Sequence, residues 1–144
     1  MSRWPLLLLA TLLLACSSIF APAKQYWPDL PDGHFMHVGE FIQVSGTGSA
    51  GPSTSDTERK SVSRDAALLD AWERLRAYIS VLVLPDGMRV NDRMAASEEY
   101  AAGIHRLVQR GKLVSTQYTA DDTAIVILRI SKSEINNALG TRFQ

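Results

Sequence analysis

Ala124-Ile125-Val126-Ile127-Leu128-Arg129-Ile130-Ser131-Lys132-Ser133-Glu134 decides how this chain folds. Ala124 to Ile130 is its most apolar strand-like run, and it is apolar on both faces, which places it at the centre of a sheet. Ser131-Lys132-Ser133-Glu134 has the spacing of a capping box, so the strand passes directly into a short helix through Ile135 to Leu139, stopped by Gly140. Upstream, Lys112 to Thr119 alternates, with Leu113, Ser115 and Gln117 against Val114, Thr116 and Tyr118. Asp121-Asp122 marks the turn of the resulting hairpin.

Two helices precede the hairpin. Asn91 or Asp92 can cap the nearer one, whose apolar line is Met94, Ala101, Ile104 and Val108, with Leu107 beside it. Gly111 follows Arg106 and Arg110, as a helix C-terminus prefers. The longer helix is expected from about Asp56 to Leu82, on the stripe Leu68, Trp72, Leu75, Ile79 and Leu82. Ala66, Ala67 and Ala71 flank that stripe and would let it lie close against a sheet. Its tail, Ile79 to Leu84, reads either as helix or as extended chain, because Val81 and Val83 favour strand; Pro85-Asp86-Gly87 ends it either way. Before this helix, Val38 to Ser49 is strand-like, with Ile42, Val44 and Gly46 on one face. Gly46, Gly48 and Gly51 permit a turn or the close approach of another element.

The expected architecture is α+β: a small, mostly antiparallel three-stranded sheet packed against two helices. Its order is β-α-α-β-β with a short C-terminal helix, all within residues 38–144 as one domain. Val38 to Ser49 and Lys112 to Thr119 would be the edge strands, open to pairing with a neighbour.

The N-terminal region has a different character. Met1-Ser2-Arg3 is a short positive stretch, and Trp4 to Ala15 is apolar and leucine-rich. About a dozen apolar residues fall short of the roughly 20 that span a bilayer. Export followed by cleavage is the natural reading, either before Cys16 or at a site resembling Ala21-Pro22-Ala23. Residues 16–37 read as a tether punctuated by Pro22, Pro28 and Pro31, with Asp32-Gly33 as a turn, reaching about 65 Å at most. Trp27, Phe35 and Met36 are unusual in a spacer and pack either on the domain itself or on a partner.

Removing residues 1–15 from 144 leaves 129, enough for one domain with its own core. Loss of Arg3 lowers Lys plus Arg from 15 to 14, against 15 Asp plus Glu. No basic excess exists to hold nucleic acid.

Leu13-Leu14-Ala15-Cys16 resembles the bacterial lipoprotein signal. The resemblance implies cleavage after Ala15 and a diacylglycerol on the sulfur of Cys16, the lipid-attachment residue. Several acyl chains hold a protein to a membrane where a single chain does not. In lipoproteins of this kind Ser17, rather than Asp, favours the outer membrane, with the domain facing the periplasm. Beyond the signal, the strand ending Gly46-Thr47-Gly48 precedes a helix carrying Ala66, Ala67, Ala71 and Leu75. Lys112-Leu113-Val114 then leads through Asp121-Asp122 to Ala124–Ile130. Residues 40–131 thus resemble the small bacterial outer-membrane lipoproteins typified by the twenty-kilodalton lipoprotein. They are also similar to the flagellar lipoprotein P and to the N-terminal domain of the flagellar T-ring assembly protein. This implies a non-enzymatic role in building envelope structures, in flagellar rings and motility among them. The implied partners are the membrane, copies of the chain, and other envelope or flagellar proteins.

No cofactor, metal or catalytic set stands out. Asp32, His34 and His37 lie in the tether without a frame to fix them as metal ligands. His105 stands alone on a helix, and Ser45, Ser49 and Ser53 have no neighbouring His to activate them. Gly46-x-Gly48-x-x-Gly51 follows a strand and precedes a helix, but the chain lacks the βαβ repeats of a dinucleotide fold. Glu98-Glu99 and Asp121-Asp122 read as solvated acids. The alternative to an assembly role is a ligand-binding lipoprotein with a pocket lined by Trp72, Leu75 and Tyr78.

Overall fold

Residues 24–31, 33–52 and 55–144 are described by the computed structural model. Along them run β1 (Phe35–Val38), β2 (Phe41–Gly48), α1 (Asp56–Ser80), α2 (Val90–Ala96), α3 (Glu98–Gln109), β3 (Lys112–Tyr118), β4 (Ala124–Ser131) and α4 (Lys132–Leu139). Every strand pair is antiparallel and the sheet order is β1-β2-β4-β3. The fold of the described residues is therefore α+β, with a sheet of four strands rather than three and with four helices among them.

β1 is the added strand. It lies within the stretch expected to be tether, and four residues between Pro31 and Gly39 carry too little pattern to announce themselves. Pairing makes the strand: Phe35 faces Val44, and the Phe35 ring lies 5.5 Å from that of Tyr78. With β1 in place, β2 is interior, so the outer strands are β1 and β3 and not the Val38–Ser49 strand. β4 sits between β2 and β3 as its composition suggests. Only one of its faces is covered, however: Ala124, Val126, Leu128 and Ile130 are buried, whereas Ile125, Ile127 and Arg129 are partly exposed.

The contact between β2 and α1 fixes the helix layer on the sheet. A Cβ on Gly46 would stand 2.2 Å from the Ala67 carbonyl oxygen and 2.5 Å from the Ala71 nitrogen. One on Gly48 would stand 2.2 Å from the Ala67 nitrogen. Helix backbone rests directly on strand backbone, and only Gly on one side with Ser63, Ala67 and Ala71 on the other permits it. This contact turns α1 so that its buried line is Ser63, Ala67, Ala71, Leu75, Tyr78 and Ile79. Leu68 and Trp72, expected as the first two members of the stripe, lie at its partly buried margin.

α1 starts at Ser55, whose hydroxyl accepts from Glu58 N–H (3.2 Å), and ends at Ser80. The tail leaves as extended chain: Leu84 and Val90 N–H donate to Met88 and Leu82 carbonyls (2.8 and 3.0 Å) across a turn with Gly87 at φ +83°. The expected second helix is two. Ser97, extended at φ −145°, breaks it and caps α3 by accepting from Tyr100 N–H (3.2 Å). β3 is irregular between Leu113 and Ser115, which interrupts the expected alternation and leaves Leu113 and Val114 each 46% exposed. The capping box at Ser131 and Glu134 is present, and Gly140 closes α4 in the left-handed region at φ +66°.

Candidate functional site

Cys16 and residues 1–15 lie outside the described residues, as do Asp32 and Ser53. The remaining candidates are scattered. His34 Nδ1 lies 3.2 Å from Ser45 Oγ, and the His34 carbonyl accepts from Ser45 N–H (2.8 Å), so this pair extends the β1–β2 pairing just ahead of β1. His37 is exposed, and partial burial, then the nearby Lys132 ammonium, lower its pKa below the usual imidazole value. His105, also exposed, lies 3.0 Å from Gln109 Nε2. Among the described residues, no group of three or more His, Cys, Asp or Glu side chains could hold a metal ion.

Gly46 and Gly48 belong to the packed β2–α1 contact, and Gly51 is exposed with nothing within 4 Å of a Cβ there. Glu98 and Glu99 are exposed in the first turn of α3, where carboxylates favour the helix dipole. The Asp121-Asp122 turn is more than a solvated pair. Thr119 and Thr123 hydroxyls donate to Asp121 and hold its carboxyl below the usual range. Asp122, at φ +58°, accepts from Arg59 Nε (3.1 Å) and so ties the β3–β4 turn to the start of α1.

The pocket expected around Trp72, Leu75 and Tyr78 is filled. Leu75 and Tyr78 are core residues, and burial pushes the Tyr78 phenol up to about 12. A groove of about 630 Å³ lies instead between α3 and α4, lined by Tyr100, Ile104, Arg106, Leu107, Arg110 and Glu134 among others. Tyr100 has its pKa raised, mainly by burial. The groove is defined by the space between α3 and α4, which a sequence pattern along either helix does not describe.

Two further surfaces stand out. β1 and β3 leave their outer edges unpaired among the described residues, and β3 carries Leu113 and Val114 there. The sheet face away from the helices is mixed: Met36 and Phe41 are exposed at 61% and 38%, the Phe41 ring lies 5.2 Å from the Arg129 guanidinium, and Gln43 pairs with Arg129 across the strands. No helix among the described residues is long and apolar enough to cross a membrane. No family model, curated protein or solved structure matches this chain.

Proposed function

We propose that the chain is an outer-membrane lipoprotein, anchored through Cys16 and facing the periplasm, whose domain assembles envelope structures and carries out no catalysis. Leu13-Leu14-Ala15-Cys16, ahead of a neutral domain-sized remainder, carries this reading. The two unpaired sheet edges supply a means of contact with a second copy or another envelope protein. The flagellar basal body is the proposed setting, in line with the resemblance of residues 40–131.

Cys16→Ser tests the anchor: the native chain is expected in the detergent phase on phase separation and the variant in the aqueous phase. Unchanged partition refutes the anchor. Light scattering on the unanchored domain tests assembly, since a strict monomer at high concentration removes self-association. Deleting the gene is expected to impair swimming, and full motility removes the flagellar setting. The α3–α4 groove favours a second reading, a ligand-binding lipoprotein. Native mass spectrometry of protein taken from its own membranes separates the two, through a bound small molecule that Gly103→Trp would displace.

A further inference from the structure

One end of the sheet gathers several separate parts of the chain. The β1–β2 turn, the start of α4, residues 24–31 and the C-terminal residues meet there. Lys132 donates its backbone N–H to the Glu40 carbonyl (2.9 Å) and its ammonium to the Gly39 carbonyl (2.8 Å). Gln144 N–H donates to the Gln25 carbonyl (2.9 Å), and the Trp27 ring lies 5.0 Å from that of Phe143. The polypeptide that leads back to Cys16 is therefore attached to this pole and not to residue 38.

The attachment changes the reach. A leash free as far as residue 37 extends about 65 Å, but the eight steps from Cys16 to Lys24 extend only about 26 Å. The segments that meet at this pole expose a particular set of side chains. Tyr26, Val38 and Phe41 are exposed at 69%, 36% and 38%, Lys24 and Arg142 are exposed, and Lys132 is partly so. Asp29 and Glu40 are the exposed acids in the same segments. Aromatic and aliphatic groups set between cations suit the headgroup layer of a phospholipid bilayer, where amphipathic rings settle and Lys and Arg meet phosphate.

The far end of the sheet is different. Gly48 pairs with Ala124 there, about 23 Å along β2 from Phe41 at 3.3 Å per residue. It carries Asp121, Asp122, Asp56 and Glu58, with Arg59 bound to Asp56 and Asp122 and Lys60 over the Tyr118 ring. We infer that the domain rests on the phospholipid headgroups by the pole formed around Tyr26, Phe41 and Arg142, and holds the β3–β4 turn and the start of α1 away from the membrane. The inference depends on the Cys16 anchor and adds an orientation to it.

Acylation takes up the Cys16 thiol, so a cysteine introduced elsewhere is the reactive one. Arg142→Cys and Ala120→Cys, made in the full chain and purified in acylated form, carry a fluorophore at the two ends; Lys24→Cys is a second reporter for the near pole. Each is placed on vesicles of mixed zwitterionic and anionic phospholipid containing a headgroup nitroxide. The expected result is strong loss of fluorescence at 142 and 24 and little loss at 120. Equal loss at both ends, on protein that floats with the vesicles, overturns the orientation while leaving the anchor intact. Protein that does not float refutes the anchor itself, and the orientation with it.

Discussion

At Gly46 the absence of a side chain is a packing requirement, because the space a Cβ would fill already holds the backbone of Ala67 and Ala71. A methyl group there must push α1 off the sheet, and helix backbone yields less readily than a side-chain tip. Gly46→Ala is expected to lower unfolding stability by about 2–3 kcal/mol, measured by urea denaturation. Gly103→Ala is the matching control: in α3 its Cβ would meet nothing nearer than Arg106 Nη2 at 4.0 Å, so relief of helix-interior glycine should raise stability by about 0.5–1 kcal/mol. Tyr78 offers a second test at this scale. Its hydroxyl is buried without a hydrogen-bond partner among the described residues. In the unfolded chain the phenol ionises near pH 10, whereas the folded protein keeps it protonated to about 12. The native state thus holds more protons than the unfolded state in that window, and stability falls as pH rises through it. Over the whole window the loss is about 2–3 kcal/mol, and Tyr78→Phe should abolish this alkaline loss when denaturation midpoints are compared from pH 9 to pH 12.

At the scale of elements, local chemistry foretold those units whose signals are self-contained. The Ser131–Glu134 box specified where β4 gives way to α4, and both of its hydrogen bonds are made. Ser131→Ala is expected to cost about 1 kcal/mol in thermal or urea unfolding, the usual loss for a helix N-cap. α1, β2, β3 and β4 were likewise legible from periodicity and from the turns between them. The remainder depended on tertiary partners. β1 becomes a strand by closing a hairpin on β2 through Gly39-Glu40, and Phe35 is held there by Tyr78, which is far from it in sequence. Ser97 looks like an ordinary polar position within one amphipathic helix until its extended backbone starts α3 afresh. The expected stripe of α1 holds at Leu75, Ile79 and Leu82, but in its first half the buried positions are Ala67 and Ala71 and not Leu68 and Trp72, because large side chains dominate a periodicity count whereas the Gly46–Gly48 contact selects small ones. The α3–α4 groove had no sequence signal for the same reason: it is defined by the space between two elements and belongs to neither.

Considered whole, the described residues are closed by a clasp at the pole where residues 24–31 meet the C-terminal residues. Asn136, one turn into α4, organises it. Its Oδ1 accepts from the Thr141 hydroxyl (2.9 Å) and from Phe143 N–H (3.1 Å), and its Nδ2 donates to the Phe143 carbonyl (3.1 Å). These bonds fold the residues after Gly140 back so that Phe143 is 8% exposed and Trp27 lies on it. Removing the amide deletes three hydrogen bonds at once and leaves the Phe143 N–H and carbonyl to find water, which they reach only if the tail lifts. Phe143 joins the core of α1, β2 and β4 at its more exposed margin, so loss of the clasp should open the pole without unfolding the domain. Asn136→Ala is therefore expected to shift Trp27 emission to longer wavelength in a background with Trp4 and Trp72 both replaced by Phe, and to speed tryptic cleavage after Lys24 and Arg142. Circular dichroism should keep its native helix and sheet signature. Global unfolding would mean that the clasp is part of the cooperative core, and unchanged cleavage and emission would mean that the Trp27–Phe143 contact holds the ends together by itself.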